Sequence, residues 1–267
     1  MKKFSLFILC ACLCLMNGCG GKKDENISDV SGKVMLVVGM DCENSPFAYH
    51  TDVQSEESVV LDDAYVKGFD VSFARYLANN LRREISIVHM NQSEMKTALE
   101  EGTIDVAISA LTWSDDEDID VSSPYYEEGF VLVVLKDSKL AKATSLTDFA
   151  KAKVMACKDS TAVQALNEMQ EVEHIEDALD LTTLQASLSE NKADAIVVTN
   201  TQANEMVKAN KDLVKVVLKE EFQSKNQYVV AMEDGLKEDE ESLYQEVEKT
   251  ISKLQQDTKE AWMKNAQ

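Results

Sequence analysis

The sequence predicts an α/β fold in two halves, each a mostly parallel sheet flanked by helices. Three observations carry this. Apolar runs of strand length alternate with stripes at helical spacing through the chain, and the alternation falls into two series joined by β runs near residues 130 and 225. Neither an internal repeat nor a low-complexity tract interrupts them.

The first eighteen residues read as an address rather than as part of the fold. Lys2 and Lys3 precede an apolar run over residues 4–16, and Gly18 places a small residue before Cys19. About 13 apolar residues are too few to span a bilayer and have the anatomy of a secretory signal. The stretch resembles a bacterial lipoprotein signal. That resemblance implies lipid on Cys19, a flexible tether over residues 19–32, and an extracytoplasmic chain held to the membrane only by its anchor.

The first strand–helix series follows. Residues 34–39 read as a buried strand, and Phe69, Phe73, Ala74, Leu77, Ala78 and Leu81 form a helical stripe leading to a strand at 85–88. Asn91 with Glu94 has the spacing of a capping box, and Gly102 ends the helix that box starts. Residues 104–109 and 130–135 are the next strands, and 51–66 is a polar, acidic loop or hairpin.

In the second series a strand at 153–157 meets a helix capped by Asp159 or Ser160 and running to Met169. A strand at 194–198 leads into a helix over 199–209. Strands at 213–218 and 228–232 follow, then helical residues from 238 to 265.

Without the leader the chain has 25 basic against 48 acidic side chains, a net of −23. Such a charge repels nucleic acid and anionic lipid, so neither is an expected partner. Cys42 and Cys157, the two cysteines left in the fold, lack metal-ligand spacing and are expected as free thiols. The acidic run from Ser114 to Asp120 lacks the glycine and spacing of a calcium loop, and His50, His89 and His174 are scattered, so no metal or cofactor is expected. No nucleophile turn or Cys–His spacing points to catalysis.

Several motifs occur in one order along the chain. They are Val38-Gly39-Met40-Asp41, Ser45-Pro46-Phe47, Lys67-Gly68-Phe69-Asp70-Val71, Leu99-Glu100-Glu101-Gly102-Thr103-Ile104-Asp105 and Ser123-Pro124-Tyr125-Tyr126. Asp159-Ser160-Thr161-Ala162, Ala193-Asp194-Ala195-Ile196 and Trp262 continue the series. Together they resemble the family 3 extracellular solute-binding proteins of polar amino acid ABC importers. The resemblance implies a two-lobed periplasmic-binding-protein-like fold of type II with a two-segment hinge. Lobe 1 would comprise residues 33–130 and 226–267, and lobe 2 residues 131–225. The same resemblance implies a monomer that captures a small polar solute and delivers it to the transmembrane subunits of an ABC permease, with no enzymatic step.

In that family an arginine forks onto the ligand's α-carboxylate, amide donors at a Gly-Thr-Thr-like turn assist, and an aspartate takes the α-ammonium. Here Ser109 and Thr112 match the segment before the arginine, but the arginine position falls on Glu117, or on Asp115 counted back from Pro124. The aspartate position is Thr199, and Ser160 and Thr161 keep the turn. Asn44 and Gln92 stand where rings commonly sit, and Asp41 remains to face a cationic group. The chain's three arginines, Arg75, Arg82 and Arg83, all lie on or beside the first-lobe helix. Three outcomes stay open. The ligand is cationic or neutral and lacks an α-carboxylate; or it is an amino acid or peptide with Lys158 replacing the arginine; or the cleft serves as a sensor or partner surface. A lyase on the same fold is the remaining alternative.

Overall fold

The computed structural model describes residues 34–114 and 118–267. The leader, the tether, Cys19, Asp115 and Glu117 therefore lie outside the described residues.

Strand β1 (Met35–Met40) is followed by a small antiparallel sheet of β2 (Glu43–Asn44), β3 (Ala48–Thr51), β4 (Val59–Leu61) and β5 (Ala64–Lys67). Helix α1 (Phe69–Leu81), β6 (Glu84–His89), α2 (Gln92–Glu100), β7 (Val106–Leu111) and β8 (Ile119–Val121) lead to the ten-residue strand β9 (Tyr126–Leu135). The second series is β10 (Lys153–Met155), α3 (Ala162–Leu166), β11 (Glu173–His174), α4 (Leu181–Ser189), β12 (Ala195–Thr199), α5 (Asn200–Ala209) and β13 (Leu213–Val216). Strand β14 (Lys225–Glu233) returns to the first series, and α6 (Leu243–Ile251) and α7 (Gln256–Ala266) finish the chain.

These strands form a ten-stranded sheet whose main path runs β11-β10-β12-β9-β14-β7-β1-β6. The pairs β1–β6, β1–β7, β10–β11 and β10–β12 are parallel, as helical crossovers require. Strands β9 and β14 are antiparallel to their neighbours and belong to both ends of the sheet. Residues 126–129 of β9 pair with 225–228 of β14, and beyond that ladder β9 joins β12 and β13 while β14 joins β7 and β8. The result is a two-lobed α/β protein with two linked crossings.

The stripe on α1 explains much of the first core. Phe69, Val71, Phe73, Ala74, Leu77 and Ala78 are buried, and Phe73 stacks on Tyr125 with ring centroids 4.3 Å apart and planes 5° apart. Full burial of each such ring contributes on the order of 1.5–3 kcal/mol. Helices α6 and α7 pack back onto α1, where Trp262 meets Phe69 and Tyr76 edge-on at 6.0 and 5.6 Å.

Local structure departs from the sequence expectations in three places. The helix expected to run to Met169 is only α3, with Thr161 at its N-cap position; Ser160 Oγ instead donates to the Cys157 carbonyl at 2.6 Å. The helical tail from 238 is two helices, because Ser242 caps α6 by accepting from Gln245 N and a turn separates α6 from α7. Helix α4 was absent from the sequence expectations altogether. The capping box at Asn91 is present, the Glu94 carboxylate accepting from Asn91 N at 2.9 Å. Among the described residues, no helix is long and apolar enough to cross a membrane.

Candidate functional site

In each half of the sheet the strand order reverses beside the first strand of its series, so the loops after β1 and β7 diverge from one edge and those after β10 and β12 from another. A crevice forms outside the carboxyl ends of such strands. Here the two crevices share one cavity of 770 Å³. Asn44, Phe47, Gln92, Ala110 and Thr112 line it from the first series, Asn226 and Tyr228 from β14, and Ser160, Thr161 and Thr199 from the second series. It continues between α4 and α5.

The first-series wall rests on buried supports. Phe69 N and Asp70 N, in the first turn of α1, donate to the carbonyls of Pro46 and Phe47 at 3.1 and 2.8 Å. Gly68 permits this approach: its φ is 140°, and a Cβ there would stand 2.2 Å from the Phe47 carbonyl oxygen. Asp41 N donates to Ser109 Oγ at 3.1 Å, and Gln92 Nε2 donates to the Ser109 carbonyl at 2.9 Å. Ala110, at φ 46°, donates its N–H to Asp70 Oδ2 at 2.7 Å, while Tyr125 Oη donates to Asp70 Oδ1 at 2.7 Å. Asp70 is fully buried, and that burial pushes its carboxyl up to about 7 despite the two donors. The same burial, with Asp70 alongside, raises the Tyr125 hydroxyl well above its ordinary range.

On the other side, Thr199 closes a capping box at α5. Its Oγ1 accepts from Gln202 N at 3.2 Å and its N–H donates to Gln202 Oε1 at 3.1 Å. The buried Glu128 of β9 accepts from Thr201 N at 2.8 Å and from the Tyr228 hydroxyl, so one carboxylate ties α5 to β14 across the crossings. Burial, then the Glu128 charge, raise the Tyr228 hydroxyl well above its ordinary range. Thr161 Oγ1 donates to Asn226 Oδ1, a second tie of the same kind. The amino end of α5 is thus already occupied by a carboxylate and a hydroxyl, and offers no open seat for an anion.

Of the expected site residues, Asn44, Gln92, Thr112, Ser160, Thr161 and Thr199 line the cavity. Asp41 and Ser109 stand behind it: the Asp41 carboxylate accepts from Glu43 N at 3.0 Å, and Ser109 is buried. Asp115 and Glu117 are outside the described residues. No lysine or arginine lines the cavity among the described residues, and Glu205 is the single carboxylate there. Lys158 is exposed and does not line the cavity, although its neighbours Cys157 and Ser160 do, and Arg75 is turned to the Ser58 carbonyl at 3.4 Å. What remains are amides and hydroxyls, which both donate and accept. Trp113 packs on the core beside a separate small pocket with Lys96 and Ile119.

Sequence reasoning missed Asn226, Tyr228 and the whole α4 wall. For α4 a signal existed: Asp180, whose side chain accepts from Thr183 N at 2.7 Å, followed by Leu181, Leu184 and Leu188 at helical spacing.

A family model described as bacterial extracellular solute-binding proteins, family 3, matches residues 36–265. The arginine-binding extracellular protein ArtP of Bacillus subtilis is 26% identical over 224 residues, which cover 82% of this chain and 81% of that protein. The L-cystine-binding protein TcyJ of Escherichia coli K12 is 27% identical, with 88% and 83% covered. Among solved structures, the amino acid ABC transporter substrate-binding protein AbpA from Streptococcus pneumoniae, bound to L-arginine, is similar with a TM-score of 0.60 and 28% identity. That match covers 87% of this chain and 94% of that one.

Proposed function

Because this chain belongs to the bacterial extracellular solute-binding proteins, family 3, we propose that it is the substrate-binding lipoprotein of an ABC importer and captures a cationic or neutral polar solute that needs no carboxylate clamp. The carrying observation is a cavity shared by both halves of the sheet whose described lining holds amides, hydroxyls and one carboxylate but no lysine or arginine. An α-carboxylate placed there would meet no cationic partner, and one desolvated without its usual partner costs several kcal/mol.

The lobes are taken as residues 33–130 with 226–267, and 131–225. In support, two buried apolar clusters draw only on residues 35–126 and 228–266, and the other two only on 130–222, so that of the boundary residues just Phe130 packs with the opposite lobe. A ligand touching both lobes favours the closed form, since only that form completes its contacts. Permease transmembrane subunits would then recognise the closed, monomeric protein. Lipid on Cys19 would hold it extracytoplasmically, at the outer face of the membrane. Asp41, Asp115 and Glu117 remain candidates for the ligand's donors, Asp41 through a rearrangement of its loop. Catalysis has no part in this reading, and product formed from any bound solute would overturn that point.

The relatives named for arginine and cystine keep a free amino acid as the second reading, its carboxylate then held by backbone and side-chain amides and hydroxyls alone. A thermal-shift screen over amino acids, polyamines, amino sugars and short peptides decides between them. Ligand at 100 times its Kd adds about 2.7 kcal/mol of stability, which is readily seen. Shifts with cationic or neutral solutes support the proposal, and low-micromolar binding confined to standard amino acids refutes it.

A further inference from the structure

We propose that the cleft carries a distal subsite between α4 and α5 that takes the basic end of an elongated solute. This rests on the cleft being a solute site and adds the ligand's shape and the chemistry of its far end. The cavity does not stop at Thr199: it runs on between the two helices, walled by Leu181 and Gln185 on one side and Gln202 and Glu205 on the other. Leu184 and Met206, both buried from solvent, form the floor. From Thr199 to Glu205 along α5 is on the order of 9 Å at the helical rise per residue. At 770 Å³ the whole space is of the size that encloses a molecule larger than a free amino acid.

The chemistry along this extension is graded. An apolar floor suits a hydrocarbon stem, and Glu205 beyond it is the one charged side chain in the described lining. Its present partner is Lys208, with Nζ at 3.8 Å from Oε1 in an exposed pair. Such a pair is weak, and a ligand ammonium displaces it at little cost. A carboxylate-ended chain, by contrast, meets Glu205 as a like charge. The solute class is therefore a linear chain with an ammonium or guanidinium end, its other end held by the interlobe amides.

Isothermal titration of the soluble chain, residues 20–267, with α,ω-diamines of three to ten carbons and with amino alcohols of matched length tests this. Affinity rises with length to a maximum, and at that length diamines exceed the amino alcohols. In Glu205→Gln the ratio of long-chain to short-chain affinity falls at least tenfold. Ala209→Trp, an exposed position at the far end of the groove, lowers that ratio by steric filling without touching the charge. Length-independent affinity, or a Glu205→Gln loss equal for short and long chains, overturns the distal subsite. Should other small solutes bind while diamines of every length fail, the subsite falls and the cleft stands. If no solute of any class binds, both fall.

Discussion

Asp70 is a carboxyl group buried completely beneath the cavity wall, and replacing it should change how stability responds to pH. In the folded protein its carboxyl lies at about 7, against an ordinary value of 3.8. Desolvation drives the rise, and the bonds from Tyr125 Oη and Ala110 N, each 2.7 Å, only partly oppose it. A raised folded-state value means that the native protein holds its proton through a range where the unfolded chain has lost it. The contribution of this group to stability therefore falls as pH climbs from about 4 to about 7, and then levels off. Between pH 4.5 and 8 the loss works out at roughly 3 kcal/mol. In Asp70→Asn the amide oxygen can still accept from Ala110 N and the amide nitrogen can donate to Tyr125 Oη, but nothing titrates. Urea unfolding of both proteins at pH 4.5, 6 and 8 reads the difference directly. The wild type should lose about 3 kcal/mol more than the variant over this span. Parallel pH profiles would refute the reasoning, and so would a variant that gains stability at pH 4.5 rather than at pH 8.

Further outcomes follow from the same geometry. Gly68→Ala should destabilise the protein by about 3 kcal/mol or more in urea unfolding, because the new Cβ meets the Phe47 carbonyl at 2.2 Å on a backbone with φ of 140°. Glu128→Gln should cost about 1–3 kcal/mol in the same assay, since two charge-assisted bonds, from Thr201 N and Tyr228 Oη, become neutral ones and the hydroxyl has to turn from donor to acceptor. Cys157 lines the cavity with its thiol raised by burial and by Asp180 and Asp177. Its alkylation should be slow at pH 8, speed up as pH rises, and slow again when a cleft ligand is present, as followed by mass spectrometry. Cys42, fully buried and pushed up to about 12, should not react until the chain unfolds.

The periodic elements were legible because each buries one face. The α1 stripe, the Asn91 capping box and the strands before and after them follow directly from residue spacing, as do β10, β12, α5 and β13 of the second series. What was not legible depends on distance along the chain. The crossing of β14 brings Asn226 and Tyr228 into the cavity, yet nothing local marks those residues, since their partners Thr161 and Glu128 lie 65 and 100 residues away. Asp41 and Ser109 are ligand candidates by motif, and spacing alone does not show that the Asp41 N–H donates to Ser109 Oγ at 3.1 Å across 68 residues. Short α3 escaped because its five residues give too little periodicity to set an end point.

The paired ladder of residues 126–129 with 225–228 has a mechanical consequence. Such a ribbon flexes readily across its flat face, whereas stretching it or sliding one strand along the other breaks hydrogen bonds. Bending and twisting leave this ladder paired, so they are the least costly ways for one half to move against the other.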